Sequence, residues 1–180
     1  MTAAVFLSAT VDRTEEEGLG LRRLGRAVYP PEESAEWPGR HLEWAGSQWD
    51  IRVVANGGDL VSYTGVLVRS ANHNGRPVQI GGIGGVKTHP TARGRGYAAM
   101  GLRRAGEFFR DDAEVDFALL VCDPSLIEYY SRFAWKEFEG RLQTSQHGET
   151  VEFVFNRVMV LDVHKPAPTN GTIDLLGPPW

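Results

Sequence analysis

One run of this sequence has the residue types and spacing of a site for a phosphorylated ligand. It reads His89-Pro90-Thr91-Ala92-Arg93-Gly94-Arg95-Gly96-Tyr97-Ala98, and an amphipathic stretch follows it. A glycine-rich entry into a helix turns unpaired backbone N–H groups and the positive end of the helix dipole toward one point. Gly94 and Gly96 carry no side chain that would keep an anion away from the backbone. The run therefore predicts a site for a pyrophosphate group.

Other phosphate-binding loops fit this region poorly. Gly82, Gly84 and Gly85 precede the run, but Val86 and not a glycine stands directly before Lys87-Thr88, which excludes a Walker A loop. No third glycine completes the fingerprint of a dinucleotide-binding turn. Taken alone, a run of glycine and arginine is also typical of a turn before a surface helix. The elements around the run therefore decide its meaning.

Those elements are a strand before the run and a helix after it. Turn signals at Asn56-Gly57-Gly58-Asp59 and at 72–75 separate three apolar runs, the last at 77–88, which predicts an antiparallel meander of three strands. After the run, one apolar face recurs at helical spacing, formed by Tyr97, Ala98, Gly101, Leu102, Ala105, Phe108 and Phe109. We therefore expect the anion site where the third strand turns into this helix.

A second strand and helix follow in the same order. The nearly continuous apolar run from Val115 to Val121 predicts a central strand that is covered on both faces. Asp123 and Pro124 then begin a second helix, with Asp123 as its N-cap and Pro124 at its first position. The run from Val151 to Val160 predicts a final strand.

The remaining segments give weaker signals. Thr10 or Asp12 is expected to cap a first helix that ends before Pro30. The stretch from Glu32 to Gln48 is expected to form a loop or a short helix over the core. The Pro- and Gly-containing tail from Lys165 to Trp180 contains apolar anchors, so it is expected to pack against the domain. These anchors are Ile173, Leu175, Leu176 and Trp180.

The arrangement resembles the GNAT superfamily of N-acetyltransferases. The family's acyl-CoA signature RxxGxG/A is met by Arg93, Gly96 and Ala98, and its usual preceding strand is seen as Gly85-Val86-Lys87-Thr88. The later segment Asp123-Pro124-Ser125-Leu126-Ile127-Glu128-Tyr129-Tyr130-Ser131-Arg132-Phe133-Ala134-Trp135 resembles the family's N…YYxxxGF stretch, with Asp for Asn, Ala for Gly and Trp for Phe. The resemblance covers roughly Ile51 to Phe155. It implies an α/β (α+β) fold, with flanking helices and a mixed, mostly antiparallel sheet splayed between its fourth and fifth strands, where acyl-CoA inserts.

The resemblance also implies an activity and a set of site residues. An amine would attack the thioester of acetyl-CoA directly, and Tyr130, at the position of the family tyrosine, would protonate the departing thiolate. Tyr130 also shares a helical face with Leu126 and Ile127, so a role in core packing is the alternative. The residues expected to bind the coenzyme are Val86, Thr88, Arg93, Gly94, Arg95, Gly96, Tyr97, Ala98, Asp123 and Ser125.

The general base stays open at this point. Many relatives carry a glutamate on the strand ahead of the loop, whereas residues 80–85 contain no acid. Glu43, Asp50, His41 or the C-terminal carboxylate could act through water. The strand glycines would leave room for a bulky acceptor or form a bulge. Cys122 could serve as a nucleophile, but a buried cysteine at a strand end is the favoured interpretation.

The acceptor is predicted from weaker likenesses. The ending Gly171 to Trp180 is similar to that of aminoglycoside 2'-N-acetyltransferases, and Trp44-Ala45-Gly46 with the later core is similar to nodulation N-acyltransferases. Both imply an amino sugar, with Glu43 and Trp180 as acceptor-binding residues. The alternative for the tail is that it covers an apolar edge or mediates dimerisation.

Composition bounds the remaining possibilities. The 180 residues, 42% of them hydrophobic, fit one domain over residues 1–180, and a net charge of -4 argues against a nucleic-acid partner. Cys122 is the single cysteine, and neither a signal peptide nor a membrane span is indicated, so a cytoplasmic location is expected. The histidines show no metal-ligand spacing, and no metal is predicted. A homodimer is compatible with the sequence.

A rival hypothesis is a catalytically silent GNAT-like module that binds acyl-CoA as a sensor or serves as a partner-binding domain. The missing strand glutamate is its main support.

Overall fold

The computed structural model of this protein describes residues 3–31, 36–55 and 57–180. Its ten strands are β1 (Ala3–Ala9), β2 (Trp49–Ala55), β3 (Leu60–His73), β4 (Arg76–Thr88), β5 (Phe117–Cys122), β6 (Lys136–Glu137), β7 (Arg141–Gln146), β8 (Glu149–Glu152), β9 (Arg157–Asp162) and β10 (Thr172–Asp174). Three longer helices lie wholly within the described residues, α1 (Glu15–Val28), α2 (Tyr97–Asp111) and α3 (Ile127–Ser131). Short 3-10 turns occupy Thr10–Asp12, Pro38–His41, Pro90–Ala92 and Pro124–Leu126. Two predicted loop parts, Glu32–Ala35 and the turn residue Asn56, lie outside the described residues.

The strands form one mixed sheet in the order β6-β9-β5-β4-β3-β10-β7-β8, with β1 and β2 branching from β3. Strand β3 is long enough to pair with β2 along its first half and with β10 near its end, while β4 runs along its other edge. Only the β4–β5 and β10–β7 pairs of the described sheet are parallel. The predicted meander is confirmed as β2, β3 and β4, and the predicted fold class is confirmed with it.

The sheet opens between β4 and β5. Their parallel pairing runs from Ile80 and Phe117 to Ile83 and Leu120, but both strands continue past it. At this point the β3–β4 register shifts, and Gly85 takes a φ of +60° in the left-handed region. A bulge increases local twist and bends the strand that carries it. The irregularity therefore turns the end of β4 away from β5, which produces the expected splay.

Helix α1 begins later than predicted. The expectation that Thr10 or Asp12 caps it is wrong, because Thr14 is the N-cap and residues 10–12 form a separate 3-10 turn. The Thr14 hydroxyl accepts from the Glu17 N–H at 3.2 Å, and the Glu17 carboxylate accepts from the Thr14 N–H at 2.9 Å. This reciprocal capping box satisfies two otherwise unpaired donors at the start of α1.

The predicted final strand from Val151 to Val160 is wrong as a single element. It divides into β8, which forms a hairpin with β7, and β9, which pairs with β5. Residues 153–156 interrupt it because Phe153 and Phe155 pack edge-on against Trp44 instead of extending a ladder. The predicted strand at Val115 begins only at Phe117, and β6, β7 and β10 were not predicted as strands.

The tail packs against the sheet, as predicted. Strand β10 lies between β3 and β7, and the predicted anchors Ile173, Leu175 and Trp180 are buried, whereas the prediction of Leu176 as an anchor is wrong, because its side chain is 58% exposed. The glycines of β4 let both faces of that strand be covered closely. A Cβ on Gly81 would meet the Phe109 ring of α2, and a Cβ on Gly82 would overlap the Trp180 ring. Strand β4 is therefore a thin wall between α2 and the tail.

Candidate coenzyme and acceptor site

The glycine-rich run forms an exposed turn that leads directly into α2. Residues 93–96 are exposed, Gly94 and Gly96 have φ values of +75° and +80°, and Gly96 is the N-cap of α2. No side chain caps this end of the helix. The first N–H groups of a helix have no partner within it, so they point outward together with the positive dipole end. The turn thus has the local geometry of an anion site.

The residues on either side of this turn fix its position. Tyr97 is buried and packs with Ala92 and Val53, while Ala98 is half-buried one residue further into α2. The Thr88 hydroxyl is 2.9 Å from that of Ser62, and Arg93 donates from Nε to the Thr88 carbonyl at 3.4 Å. These buried and hydrogen-bonded neighbours therefore fix the position of the exposed backbone that would contact a ligand.

On the β4 side, Val86 is half-buried and packs against the main core cluster. Val86 and Thr88 thus line the strand end that leads into the turn. Arg95 is exposed on the same turn as Gly94 and Gly96. The structure brings these predicted coenzyme residues together along one continuous path.

Asp123 and Ser125 lie beyond the end of β5, on the other side of the splay. The Asp123 carboxylate accepts from the Ser125 N–H at 2.9 Å and from its hydroxyl at 2.6 Å, and these bonds lower the pKa of Asp123. Asp123 caps the 3-10 turn that precedes α3, with Pro124 at its first position. The predicted cap is confirmed, although the turn starts as 3-10 and becomes α-helical at Ile127.

Tyr130 lies in the core at the end of α3. It is 6% exposed, and its ring makes edge contacts with Tyr129 at 5.3 Å and Trp135 at 6.5 Å between centroids. Its hydroxyl forms no hydrogen bond with any described residue. Burial, followed by the nearby Cys122, raises the pKa of Tyr130, so its proton stays in place at neutral pH. The ring of Tyr130 therefore packs in the core, and its hydroxyl group keeps its proton.

Cys122 has the properties of a structural thiol. It ends β5, is 4% exposed and belongs to the main core cluster. Burial, assisted by Asp123, raises its pKa to about 11, which keeps the thiol neutral and a weak nucleophile. The prediction of a buried cysteine at a strand end is confirmed.

A small pocket of about 200 Å³ opens at the splay. Its walls come from segments far apart in the sequence: Ala45, Ser47, Tyr63, Gly65, Leu67, Gly84, Gly85, Lys87 and Trp180. Of these, sequence analysis named only Trp180 as an acceptor residue. The pocket lies beside the β4 bulge, four residues before the end of the strand that leads to the glycine turn.

A buried polar chain lies behind this pocket. Asp50 is fully buried and receives two hydrogen bonds from Arg13, at 2.7 and 2.8 Å. The Tyr63 hydroxyl donates to Asp50 at 3.0 Å and is 2.8 Å from the Ser47 hydroxyl. Burial raises the pKa of Tyr63 to about 12, so this phenol is a donor and not a base. Asp50 is thereby committed to holding Tyr63 in place.

Lys87 is the charged side chain of the pocket. Its Nζ lies over the ring of Tyr63 at 5.2 Å and over that of Tyr29 at 5.9 Å from the centroids. Burial lowers the pKa of Lys87. The sequence identified Lys87 only as part of the strand Gly85-Val86-Lys87-Thr88, and its pairing opposite Tyr63 is a feature of the folded sheet.

Trp180 occupies the space that the β4 glycines leave. Its indole N–H donates to the Leu119 carbonyl at 3.2 Å, and Arg69 lies 5.3 Å from its ring centroid. The carbon of its C-terminal carboxyl group is 2.9 Å from where a Cβ on Gly84 would lie, so the predicted candidate base at the C-terminus borders the pocket. The expectation that the glycines leave room for an acceptor is thus corrected at Gly82, where the protein's own tryptophan fills that room.

Glu43 lies close to the pocket but faces away from it. Its carboxylate accepts from the His147 N–H at 2.7 Å and is 3.4 Å from the His147 ring. Its neighbour Ala45 does line the pocket, and the Ala45 N–H donates to the Pro179 carbonyl at 2.7 Å. His41 accepts from Arg40 on the exposed surface and does not line the pocket.

A larger groove of about 720 Å³ lies between α1, the ends of β1 to β3 and the residues His89 and Thr91. Charged side chains such as Glu16, Arg23 and Arg52 line it. Tyr130 lines neither cavity, but the smaller pocket contains the splay residues Gly84 and Gly85, whereas the groove does not.

No group of three or more histidine, cysteine, aspartate or glutamate side chains in the described ranges is arranged to hold a metal ion. Within the same ranges, no helix has the length and apolar character required to cross a membrane.

Comparisons with known proteins give a family match and several similar folds. Residues 13–138 match the sequence profile of an acetyltransferase (GNAT) domain. A crystal structure of an acyl-CoA N-acyltransferase from Pseudomonas aeruginosa superposes with a TM-score of 0.61 at 19% identity, over 89% of this chain and 99% of that one. No curated protein sequence matches this chain.

Two other similar structures contain the coenzyme. The GNAT family N-acetyltransferase YhbS from Escherichia coli, in complex with CoA, gives a TM-score of 0.58 at 15% identity, over 97% of this chain and 89% of that one. A GNAT family acetyltransferase from Brucella melitensis, in complex with acetyl-CoA, gives 0.59 at 13% identity, over 94% of each chain. At these identities the likeness concerns the fold.

Proposed function

This chain belongs to the GNAT acetyltransferase family, and from that premise we propose that it transfers the acetyl group of acetyl-CoA to a primary amine of a small molecule. One observation carries the proposal. The exposed turn at Gly94 and Gly96 presents the uncapped start of α2 at the end of β4, and the splay beside β4 opens onto a pocket. A diphosphate at the turn and a thioester at the splay would belong to one coenzyme.

The length of β4 supports this placement. From Thr88 back to Gly84 the strand spans four residues, about 13 Å at the usual rise of a β-strand. An extended pantetheine arm that follows β4 from the turn covers a comparable distance. Its thioester would then lie at the bulge of Gly84 and Gly85, beside the pocket. Asp123 and Ser125 would contact the coenzyme from the β5 side of the splay.

We assign Tyr130 as the proton donor. The amine nitrogen forms a bond to the thioester carbonyl carbon, the C–S bond breaks, and the departing thiolate takes a proton. A raised pKa keeps this proton on Tyr130 until negative charge develops at sulfur. The same raised pKa weakens Tyr130 as an acid, so transfer requires the sulfur to approach its hydroxyl closely.

The acceptor amine is proposed to arrive already neutral. Gly84 supplies no acid, Asp50 is held by Arg13, and the Glu43 carboxylate faces His147. Of the candidate bases, the C-terminal carboxyl group of Trp180 lies at the pocket, and the amine is proposed to lose its ammonium proton to this group or to water before it attacks the thioester. The kcat/KM for the amine should therefore rise with pH toward the pKa of the free amine.

An amino sugar or aminoglycoside-like amine is the proposed acceptor class. The segments of Glu43 and Trp180 are joined by the hydrogen bond from Ala45 to Pro179, so both border the same entrance. The Glu43 carboxylate does not line the pocket and is hydrogen-bonded to His147, so its proposed contribution is a longer-range attraction of an ammonium group from its 44% exposed side chain. The pocket itself admits one small group, which suits a primary amine on a larger ring.

The remaining assignments are part of the same proposal. We propose that the chain acts as one acyltransferase domain, because β10 from the tail is built into the sheet that carries the site. We further propose a cytoplasmic enzyme that acts on a small molecule, without nucleic-acid or membrane partners, and homodimerisation stays open to a native-mass measurement.

A panel of amines tests the proposal. The protein is incubated with acetyl-CoA and an amino sugar, a polyamine, an amino acid or a peptide, and free CoA thiol is followed. Amine-dependent thiol release that is fastest with the amino sugar supports the proposed acceptor class. Turnover on another amine preserves the transferase and changes its acceptor.

The second candidate function is a catalytically silent acyl-CoA sensor. It is favoured by Gly84, which leaves β4 without an acid at the splay. Tight acetyl-CoA binding in calorimetry, without turnover on any amine of the panel, is the result expected for the sensor. Failure to bind acetyl-CoA would contradict both functions.

A further inference from the structure

The three lysines of this chain stand in different surroundings. Lys136 is paired with Asp162 at 2.7 Å, and Lys165 is paired with Asp116 at 2.8 Å. No carboxylate of the described residues pairs with Lys87 within salt-bridge distance; its Nζ faces the rings of Tyr63 and Tyr29 instead. The aromatic rings attract the Lys87 ammonium group through their π faces, but unlike a carboxylate they form no ion pair with it and cannot accept its proton.

Lys87 also has a distinct position relative to the site. It lies on β4 between the bulge at Gly84 and the glycine turn, and it lines the pocket at the splay. The other two lysines have exposed side chains, 48% for Lys136 and 67% for Lys165, and neither lines this pocket. An acetyl group at the splay would therefore be within reach of one lysine of the three.

We propose that Lys87 is a self-acetylation site, which takes the acetyl group from acetyl-CoA bound to the same molecule. The inference rests on the proposed function in requiring that acetyl-CoA binds with its thioester at the splay. The neutral Nζ attacks the thioester carbonyl carbon, so that a C–N bond forms and the C–S bond breaks. The electron pair of that bond goes to sulfur, and the proton lost by nitrogen converts the thiolate to free CoA thiol.

The environment of Lys87 favours this step in two ways. Burial lowers the pKa of Lys87, which raises the fraction of nucleophilic, neutral amine at a given pH. The approach is intramolecular, and a correctly oriented pair of groups reacts as though one were present at very high concentration. The product amide is neutral and larger than the amine, so it would occupy part of the pocket and hinder the acceptor.

The test is peptide mass spectrometry of the wild-type chain after incubation with acetyl-CoA and no acceptor amine. We expect the initial rate of acetylation at Lys87 to exceed that at Lys136 and Lys165 by at least ~10-fold. The rate should not depend on protein concentration once acetyl-CoA is saturating, and it should rise with pH. Acetic anhydride, which needs no binding site, serves as the reference for intrinsic reactivity and should label the exposed lysines more readily.

Two variants complete the design. Lys87→Arg keeps the positive charge and cannot be acetylated, so stoichiometric acetyl uptake by the protein should disappear. Gly96→Val should slow acetylation of Lys87 by acetyl-CoA while leaving its labelling by acetic anhydride unchanged.

The outcomes separate this inference from the proposed function. Acetyl-CoA binding in calorimetry with no acetylation at Lys87, or with equal acetylation of all three lysines, overturns the self-acetylation site and leaves the transferase intact. Absence of acetyl-CoA binding contradicts the proposed function itself, and with it the inference.

Discussion

The coenzyme side and the acceptor side of this site are built in opposite ways. The coenzyme turn consists of consecutive exposed residues, 93–96, and offers backbone N–H groups. The acceptor pocket collects side chains from segments near residues 45, 65, 85 and 180, several of them buried. A change in the turn should therefore affect ligand binding without opening a cavity in the core, whereas a change in the pocket wall should disturb core packing and binding together.

The largest expected effect follows from Trp180→Ala. Trp180 is 6% exposed and packs on Gly82, so its loss leaves a cavity against β4. We expect the free energy of unfolding to fall by about 3–5 kcal/mol, measured by urea denaturation. Trp180→Phe is the control and should lose clearly less. If the free energy of unfolding of Trp180→Ala fell by less than about 1 kcal/mol, the claim that the pocket wall is part of the folding core, unlike the coenzyme turn, would be contradicted.

A smaller effect is expected from Tyr130→Phe. The change deletes the hydroxyl and keeps the ring in the core, so kcat should fall roughly 10²-fold, which corresponds to about 2.7 kcal/mol. Tyr129→Phe, the same change at the adjacent half-buried ring, should leave kcat nearly unchanged. Steady-state kinetics with saturating acetyl-CoA makes the comparison, and equal effects of both variants would contradict the role of Tyr130 as the acid.

Gly96→Val isolates the coenzyme turn. A side chain there would project toward the proposed pyrophosphate, and we expect acetyl-CoA affinity to fall at least ~10-fold, about 1.4 kcal/mol, in calorimetry. Gly148→Val is the matched control, because Gly148 also has a left-handed φ, +85°, and open space around its Cβ position. Both variants carry similar backbone strain, of about 1–3 kcal/mol. Unchanged affinity in the Gly96 variant would remove the turn from the coenzyme site.

The smallest effect concerns the pH dependence of stability at Lys87. Its pKa is lowered in the folded chain, so between the folded and the unfolded pKa the unfolded state binds more protons. The folded state therefore gains stability as pH rises through that interval. Lys87→Met lacks this titration. At pH 7 its free energy of unfolding should exceed that of the wild-type protein, and the difference should shrink as the pH approaches the ordinary lysine pKa. Parallel stability curves for both proteins would contradict the burial of this ammonium.

The coenzyme side could be predicted from the sequence better than the acceptor side, because its residues are neighbours in the chain. The turn from Arg93 to Ala98 could be identified because all its determinants are neighbours in sequence, and the strand and helix beside it have clear periodicities. The contact of Asp50 with Arg13 and Tyr63 had no such signal, since residues 13, 50 and 63 meet only after three strands and a helix have packed.

The strands after Phe133 show the same limit. An apolar run at 151–160 was compatible with one strand, and only the packing of Phe153 and Phe155 against Trp44 explains why it divides. Glycines at 82 and 84 indicated open space, but sequence could not show that residue 180 fills it. Partners distant in the chain decided each of these features.

Strand β10 has a consequence for the timing of assembly during synthesis. It lies between β3 and β7, and it is the strand that joins the β7–β8 hairpin to the rest of the described sheet. Residues 172–174 leave the ribosome after all the other strands, so until then β3 and β7 each expose an unpaired edge. The strands beside the coenzyme turn can pair early in translation. The acceptor side is completed only when β10 pairs with β3 and β7, so the exposed edges of these two strands must not pair with other chains before then.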